Sequence, residues 1–310
     1  MSLRIVTYDR VHLEGMVALY NAETAFEPHI APLTPGRFTE LVEAKSCFDP
    51  AGLFLALDGG GVAGWVHACI AAGTEPWHDP GKSVASIRML IYPRERLEVG
   101  AALVAEATAW LRATGKPELE AASARSGYPF YRGLWMGGEP MGPASMPHVQ
   151  LAFEVGGYKT EQESIFMVGE LGRQRAATTA DVPIALIDSP AQMAHEPMRE
   201  SWVGFEPMRV RALLDGEEVG SLGWAVLPHV AERLGAPCVS IWSLGVREQH
   251  RRQGIGSALV SHCLERGYAL GARFASVGTQ LWNAPAQGLY AKHGFRPYCI
   301  LVERILKVER

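Results

Sequence analysis

Two stretches of this 310-residue chain repeat each other at a nearly fixed distance, and that constrains its fold more than any other feature. Residues 53–68, LFLALDGGGVAGWVHA, and residues 210–225, VRALLDGEEVGSLGWA, both read as an apolar strand, an Asp-Gly turn and a second apolar strand, the signature of a β-hairpin. Their turn residues, Asp58 and Asp215, lie 157 positions apart. Farther on, VGAALVAEATAWL (99–111) is echoed by IGSALVSHCLERG (255–267), both with apolar residues at helical spacing, and Gly100 and Gly256 lie 156 positions apart. A nearly constant offset across a hairpin and a helix predicts a duplication with one α/β unit per copy. A third echo, GGYK (156–159) against HGFR (293–296), falls at only 137, so the first copy holds extra residues between the marks. The surplus is YRGLWMGGEPMGPASMP (131–147), dense in Gly, Pro and Met and without either period, which predicts a long loop.

The polar, aperiodic run GELGRQRAATTAD (169–181) predicts the linker and puts the boundary near Thr178, giving domains at 1–177 and 178–310. A chain of 310 residues suits two units of roughly 100–200 residues each. The front ends are unequal. The first copy has 52 residues before its hairpin, including the helix-like VHLEGMVALYNAE (11–23) and TPGRFTELVEAK (34–45). The second has room only for a strand, VPIALID (182–188), and one helix, SPAQMAHEPMRESW (189–202). Within each copy the order is strand, helices, hairpin, strand, helix, strand, helix and closing strands. That order predicts an α/β (α+β) class with a mixed sheet and helices on both faces.

Several function classes drop out on composition. A net charge of −4 offers no overall positive field for nucleic acid or anionic lipid. The five cysteines are scattered without a CxxC pair, which suits buried reduced thiols and predicts neither a disulfide framework nor a metal site. The most apolar stretch, GVAGWVHACIAAG (61–73), is shorter than the about 20 residues a membrane helix needs, and nothing near Met1 resembles a signal peptide. A cytoplasmic protein without membrane partners is expected.

The chemistry concentrates in HRRQGIGSALV (250–260). It follows a β-rich segment, CVSIWSLGV (238–246), and opens a helix, so RRQGIG sits at a strand-to-helix turn. The first turn of a helix carries unpartnered N–H groups and the positive end of the dipole, both suited to an anion. Gly254 and Gly256 let the backbone come close to such a guest, and Arg251 and Arg252 can add charge-assisted hydrogen bonds. The missing third glycine disfavours a Rossmann fingerprint, the missing Gly-Lys-Ser/Thr excludes a P-loop, and the nucleophile-elbow reading fails because VGSLG (219–223) is not Gly-x-Ser-x-Gly.

Taken whole, LGVREQHRRQGIGSALV resembles the acyl-CoA signature of the GNAT superfamily of N-acetyltransferases, Arg/Gln-x-x-Gly-x-Gly/Ala ahead of a helix, with Arg251, Gly254 and Gly256 on the motif positions. NAPAQGLYAKHGF (283–295) is similar to the family's second motif, with Asn283, Ala286, Leu289, Tyr290, Gly294 and Phe295 on its positions. The tandem layout is similar to that of mycothiol synthase, a likeness of architecture that does not fix the substrate. The resemblance implies two tandem domains, each a mostly antiparallel sheet with a splayed central parallel pair, and acetyl-CoA as cosubstrate. It implies that the pantetheine arm lies along residues 242–246, that the backbone N–H groups of Leu244, Gly245 and Val246 polarise the thioester, and that Arg251, Arg252, Gln253, Gly254, Ile255, Gly256 and Ser257 cradle the pyrophosphate. Tyr290 is implied as the proton donor to the leaving thiolate. Asn283 either bonds the CoA arm or simply caps a helix.

The general base departs from a common family pattern. Many members carry a glutamate on the strand before the CoA loop, where CVSIWSLGV offers only Ser240 and Ser243; Glu206, His229, a water relay or a residue of the first copy are the alternatives. The first copy looks eroded. Matched on the helix glycine, Glu95, Arg96 and Glu98 stand opposite Arg251, Arg252 and Gly254, and a carboxylate there repels phosphate. Matched on Gly157 and Gly294, Phe153 stands opposite Tyr290 and removes the phenol. The expectation is a non-catalytic first domain that walls the acceptor site and a catalytic second one, transferring acetyl from acetyl-CoA to a primary amine of a small molecule or peptide by direct attack in a ternary complex. The alternative is an acyl-CoA-binding sensor without turnover, and a third reading is a structural partner subunit that binds no CoA.

Overall fold

The computed structural model describes residues 3–72, 83–122, 130–136, 142–143, 146–172, 180–193 and 196–308. Strand β1 (Arg4–Thr7) leads through helices α1 (Leu13–Glu23) and α2 (Pro35–Phe38) to the hairpin β2 (Leu53–Asp58) and β3 (Gly61–Ala72). There follow β4 (Ser83–Ile91), α3 (Leu97–Arg112), β5 (Glu118–Ala121), the two-residue β6 (Gly142–Pro143), α4 (Pro147–Val155) and β7 (Lys159–Glu170). The second half runs β8 (Ala185–Pro190), α5 (Glu196–Ser201), the hairpin β9 (Met208–Leu214) and β10 (Glu217–Leu227), and α6 (Ala231–Leu234). It closes with β11 (Cys238–Val246), α7 (Ile255–Ala269), β12 (Phe274–Gln280), α8 (Ala284–Lys292) and β13 (Arg296–Lys307).

Both expected hairpins and both expected amphipathic helices form. The second hairpin turns through Asp215 and Gly216 at φ 51° and 85°, the left-handed pair that matches strand twist. The second copy's front end differs from expectation: β8 extends to Pro190, which pairs with Met208, and α5 is correspondingly shorter than residues 189–202. Backbone pairing with β9 outcompetes helix over 189–190. The expected boundary at Thr178 and residues 137–141 and 144–145 of the expected loop lie outside the described residues.

The strands of the described residues form one sheet in the order β1-β2-β3-β4-β5-β13-β7-β12-β11-β10-β9-β8. Two pairs are parallel, β4 with β5 and β11 with β12. The centre of the sheet carries an exchange: β7, from the first half, pairs with β12 over Phe274↔Glu170 to Gln280↔Ser164, and β13, from the second half, pairs with β5 over Arg304↔Ala121 to Lys307↔Glu118. Each half therefore completes the other's sheet, and β7 and β13 pair with one another at the seam. Helices α3 and α4 cover one face of the first half through Leu103, Val104 and Phe153, and α7 covers the second through Leu259 and Cys263. The opposite face is filled by α1, α2 and residues 130–136.

Polar contacts tie the halves together on that opposite face. Arg233 donates to the carbonyls of Thr24 and Glu27, Tyr298 Oη donates to Glu27 at 2.6 Å, and Lys45 Nζ donates to the carbonyl of Glu200 at 2.8 Å. No helix among the described residues is long and apolar enough to cross a membrane. The five cysteines are free thiols, and burial pushes those of Cys47, Cys69 and Cys299 up to about 12.

Candidate active site

The parallel pair β11–β12 stays hydrogen-bonded only as far as Ile241↔Val277. Beyond that point residues 242–246 and 278–280 diverge into a wedge. On its other edge β11 bulges against β10, its register stepping from Gly245↔Ser221 to Trp242↔Gly223, so β11 fits one extra residue. Ser243, inside the bulge, has φ 53°, a conformation a serine adopts only under constraint. A bulge turns backbone groups off the ladder, here at the strand facing the wedge. A side chain placed at Gly245 or at Gly278 would meet no atom within 4 Å, so both rims of the wedge border open space.

The turn after β11 closes on α7. Arg252 at φ 64° and Gly254 at φ 73° reverse the chain, and Gly254 is the residue before the helix. The first helical amide with a backbone acceptor is that of Ala258, to the Gly254 carbonyl at 2.9 Å. The amides of Ile255, Gly256 and Ser257 thus make up an open first turn, next to the wedge and fit for an anion. The Arg251 side chain folds back, its Nε donating to the Val246 carbonyl at 3.1 Å, while Arg251 and Arg252 stay exposed. Gln253 uses its carbonyl to hold the Asp181 amide at 3.0 Å, and Ser257 Oγ pairs with His293 Nε2 at 2.7 Å, tying α7 to the end of α8.

Tyr290 is buried on α8 and packs edge-on against Phe295 at 5.8 Å. Its hydroxyl has no hydrogen-bond partner among the described residues, and burial pushes its pKa up to about 12. Asn283 behaves as a helix cap, its Oδ1 accepting from the Ala286 amide at 3.3 Å and its Nδ2 donating to Thr279 Oγ1 at 3.2 Å. Where a strand glutamate was sought, Ser240 is buried and Ser243 exposed; of the base candidates, Glu206 is exposed and His229 is half-buried against Phe205 with its pKa lowered by burial.

The face of β11 away from α7 carries a group the motifs do not announce. Trp242 lies at the apex of the wedge, its indole over Gly223, where a Cβ would come within 2.4 Å of Nε1; only glycine leaves room. Trp202 stacks on Trp242 at 4.7 Å and 31°, Phe205 stands edge-on to Trp202 at 6.2 Å, and the Arg132 guanidinium of the first half sits 4.1 Å over Trp202. The signal that was available is the clustering of Trp202, Phe205 and Trp242 in the copy with the trimmed front end. Their partner, Arg132, comes from a distant part of the chain.

The equivalent place in the first half is built differently. Strands β4 and β5 pair only at Ser86↔Glu120 and Ile87↔Ala121 before diverging, with a register shift in β4 around Arg88. Helix α3 starts two residues ahead of its match, so that counted from the helix starts Glu98 stands opposite Gly256 and Arg96 opposite Gly254. Here the Val99 amide is taken by the Arg96 carbonyl at 2.9 Å, and the Arg96 guanidinium bridges Glu98 at 2.9 Å and Asp58 at 3.0 Å. The Glu98 carboxylate, its pKa lowered by Arg96 and by its own amide, lies at this first turn. Phe153 and Tyr290 occupy the same position of two nine-residue helices, and the Phe153–Tyr158 ring pair, 5.8 Å and 60°, repeats that of Tyr290 and Phe295 at 5.8 Å and 64°.

A family model described as the acetyltransferase (GNAT) family matches residues 181–295. No curated protein matches the chain at a significant level. Among solved structures, the fold is similar to that of a tandem GNAT protein from the clavulanic acid biosynthesis pathway, 16% identical, with a TM-score of 0.64 over 100% of this chain and 99% of that one. A GCN5-related N-acetyltransferase from Sphaerobacter thermophilus is 14% identical, with a TM-score of 0.67 over 99% and 96% of the two chains. A GCN5-related glucosamine N-acetyltransferase region of a fungal multi-domain GH3 β-N-acetylglucosaminidase is 13% identical, with a TM-score of 0.66 over 98% of this chain and 38% of that one. At these identities the likeness is one of fold.

Proposed function

We propose that the chain is a tandem-domain acetyltransferase of the GNAT type whose second copy, residues 178–310, transfers acetyl from acetyl-CoA to a primary amine of a small molecule or peptide in a ternary complex, a reading supported by the family match over 181–295 and by the likeness in fold to tandem GNAT structures. The observation that carries this reading is the divergence of β11 from β12 directly ahead of a helix whose first turn is open. In this reading the pantetheine arm runs along residues 242–246. The amides of Leu244, Gly245 and Val246 face the thioester carbonyl and stabilise the oxyanion as the amine adds. The pyrophosphate rests on Gly254, Ile255, Gly256 and Ser257, with Arg251, Arg252 and Gln253 around it.

When the tetrahedral adduct collapses, the C–S bond breaks and Tyr290 Oη protonates the leaving thiolate. A phenol held at a pKa of about 12 stays protonated at neutral pH and is available as that donor. Asn283 acts through its cap, fixing where α8 begins. The first copy, residues 1–177, is non-catalytic and walls the acceptor side, with Arg132 clamping Trp202 against Trp242. That wall is aromatic, which suits an acceptor with an apolar or aromatic body. No carboxylate on β11 serves as base, so proton removal from the amine falls to His229, Glu206 or water.

A thiol-release assay with a panel of aromatic, aliphatic and peptide amines tests the proposal. Amine-dependent CoA release is expected. Acetyl-CoA binding without release for any class of amine would replace the enzyme with a sensor, and no binding at all would leave a structural role.

A further inference from the structure

The wedge of the first copy is open as well, and its chemistry differs from that of the second. Between the diverging β4 and β5 lies a cavity of about 60 Å³ lined by Tyr20, Leu90, Trp135, Val149 and Phe153, with Arg88 at its wall. A water needs roughly 10–15 Å³ of such space, and about 150 Å³ holds a benzene ring, so this cavity suits a branched alkyl group of three or four carbons. Within its lining Trp135 is 3% exposed, and its Nε1–H has no acceptor among the described residues. A buried donor left unpaired favours any ligand that brings an acceptor.

The nucleotide end of this wedge is shut. Where the second copy offers open amides, the first has Glu98 and Asp58 gathered around Arg96, and the amide of Val99 already bonded. A diphosphate would meet two carboxylates there. The occupant that fits is therefore small, apolar at one end and free of phosphate.

We infer that the first copy binds a short branched carboxylic acid or its amide, with the alkyl end in the β4–β5 wedge and the carbonyl oxygen accepting from Trp135 Nε1–H. The site is separate from the proposed transfer centre and needs no acetyl-CoA. Its occupant lies against α1 and residues 134–135, the same segment whose Met136 carbonyl accepts from Ser276 on β12.

The experiment uses the full chain labelled with ¹⁵N, in which each of the eight tryptophans contributes an indole N–H signal and Trp135→Phe identifies that of Trp135. Isobutyramide and isobutyrate are the probes. A saturable shift of the Trp135 signal with either probe is expected, with a midpoint on the order of millimolar for so few atoms. Val149→Phe, which fills the cavity, should abolish it. By ligand-observed saturation transfer, Trp135→Phe should weaken binding by about 2- to 10-fold, because the ring remains and only the donor is lost. No saturable shift with either probe overturns the inference, as does an undiminished shift in Val149→Phe or unchanged affinity in Trp135→Phe. A shift of the Trp135 signal by acetyl-CoA alone overturns it too. Should Val149→Phe fail to fold, the Trp135→Phe comparison decides. Amine-dependent thiol release reports separately on the second copy, so either reading can fail alone.

Discussion

Tyr290 and Phe153 hold the same place in matching helices and differ by a single hydroxyl. Phe153 is buried in the same ring arrangement, so Tyr290→Phe should fold normally. In the thiol-release assay it should lose about 10²-fold or more in kcat, with the KM for acetyl-CoA little changed. A loss smaller than about threefold would remove Tyr290 from the reaction. Gly254 has a left-handed φ of 73° and, in the proposed reading, also leaves a neutral approach for an anion. Gly254→Gln tests the first and Gly254→Glu adds charge, so the glutamate variant should bind acetyl-CoA more weakly than the glutamine variant by calorimetry; equal affinities would contradict an anion at that turn. His67 speaks to stability. Burial, helped by Arg88, pushes its pKa down to about 3, against about 6.5 in an unfolded chain. Between those values the unfolded state binds a proton that the folded state refuses. Stability should therefore fall as pH drops below about 6.5, by up to about 1.4 kcal/mol per pH unit, and level off below about 3. His148 and His229, lowered by burial, add in the same direction. Urea unfolding at pH 7, 6 and 5 measures the slope, and His67→Gln should flatten it.

Among the elements, α7 and α3 are the informative comparison. Both follow a strand that diverges from its parallel partner, yet α7 opens with unbonded amides whereas α3 is closed by the Arg96 carbonyl and by Glu98. The structural difference between the two copies at this place thus lies in the first turn of a helix, and hardly in the sheet. Helix α8 depends on its cap. Asn283→Ala should lower stability by about 1 kcal/mol, whereas Asn283→Ser, which retains a capping oxygen, should stay within a few tenths of wild type. If Asn283 serves only as a cap, the serine variant should keep the wild-type KM for acetyl-CoA; a raised KM in both variants would assign it a direct contact with the CoA arm. The bulge in β11 is the other decisive element, since Ser243 at φ 53° and the extra residue beside it re-aim the strand that edges the wedge.

At the scale of the molecule, the exchange of β7 and β13 makes the two halves mutually dependent. Residues 178–310 expressed alone would leave β12 as a bare edge and β13 without β7 or β5, exposing strand to aggregation. That fragment should be insoluble or dimeric, and the whole chain should melt in one cooperative calorimetric transition; two separated transitions would contradict a shared sheet. The hairpins, the amphipathic helices, the duplication and the strand-to-helix turn at Gly254 were legible in the sequence because each rests on local periodicity or on the chemistry of a few adjacent residues. The aromatic wall of Trp202, Trp242 and Arg132 was not, since its members meet only when distant segments pack. The same holds for the strand exchange. Alternating residues in 159–170 and 296–307 determine that each is a strand, but a strand's free N–H and C=O groups are alike along its length and do not choose their neighbour. Length of connection, sheet twist and the burial of Phe166 and Leu301 made that choice, and those exist only in the folded chain.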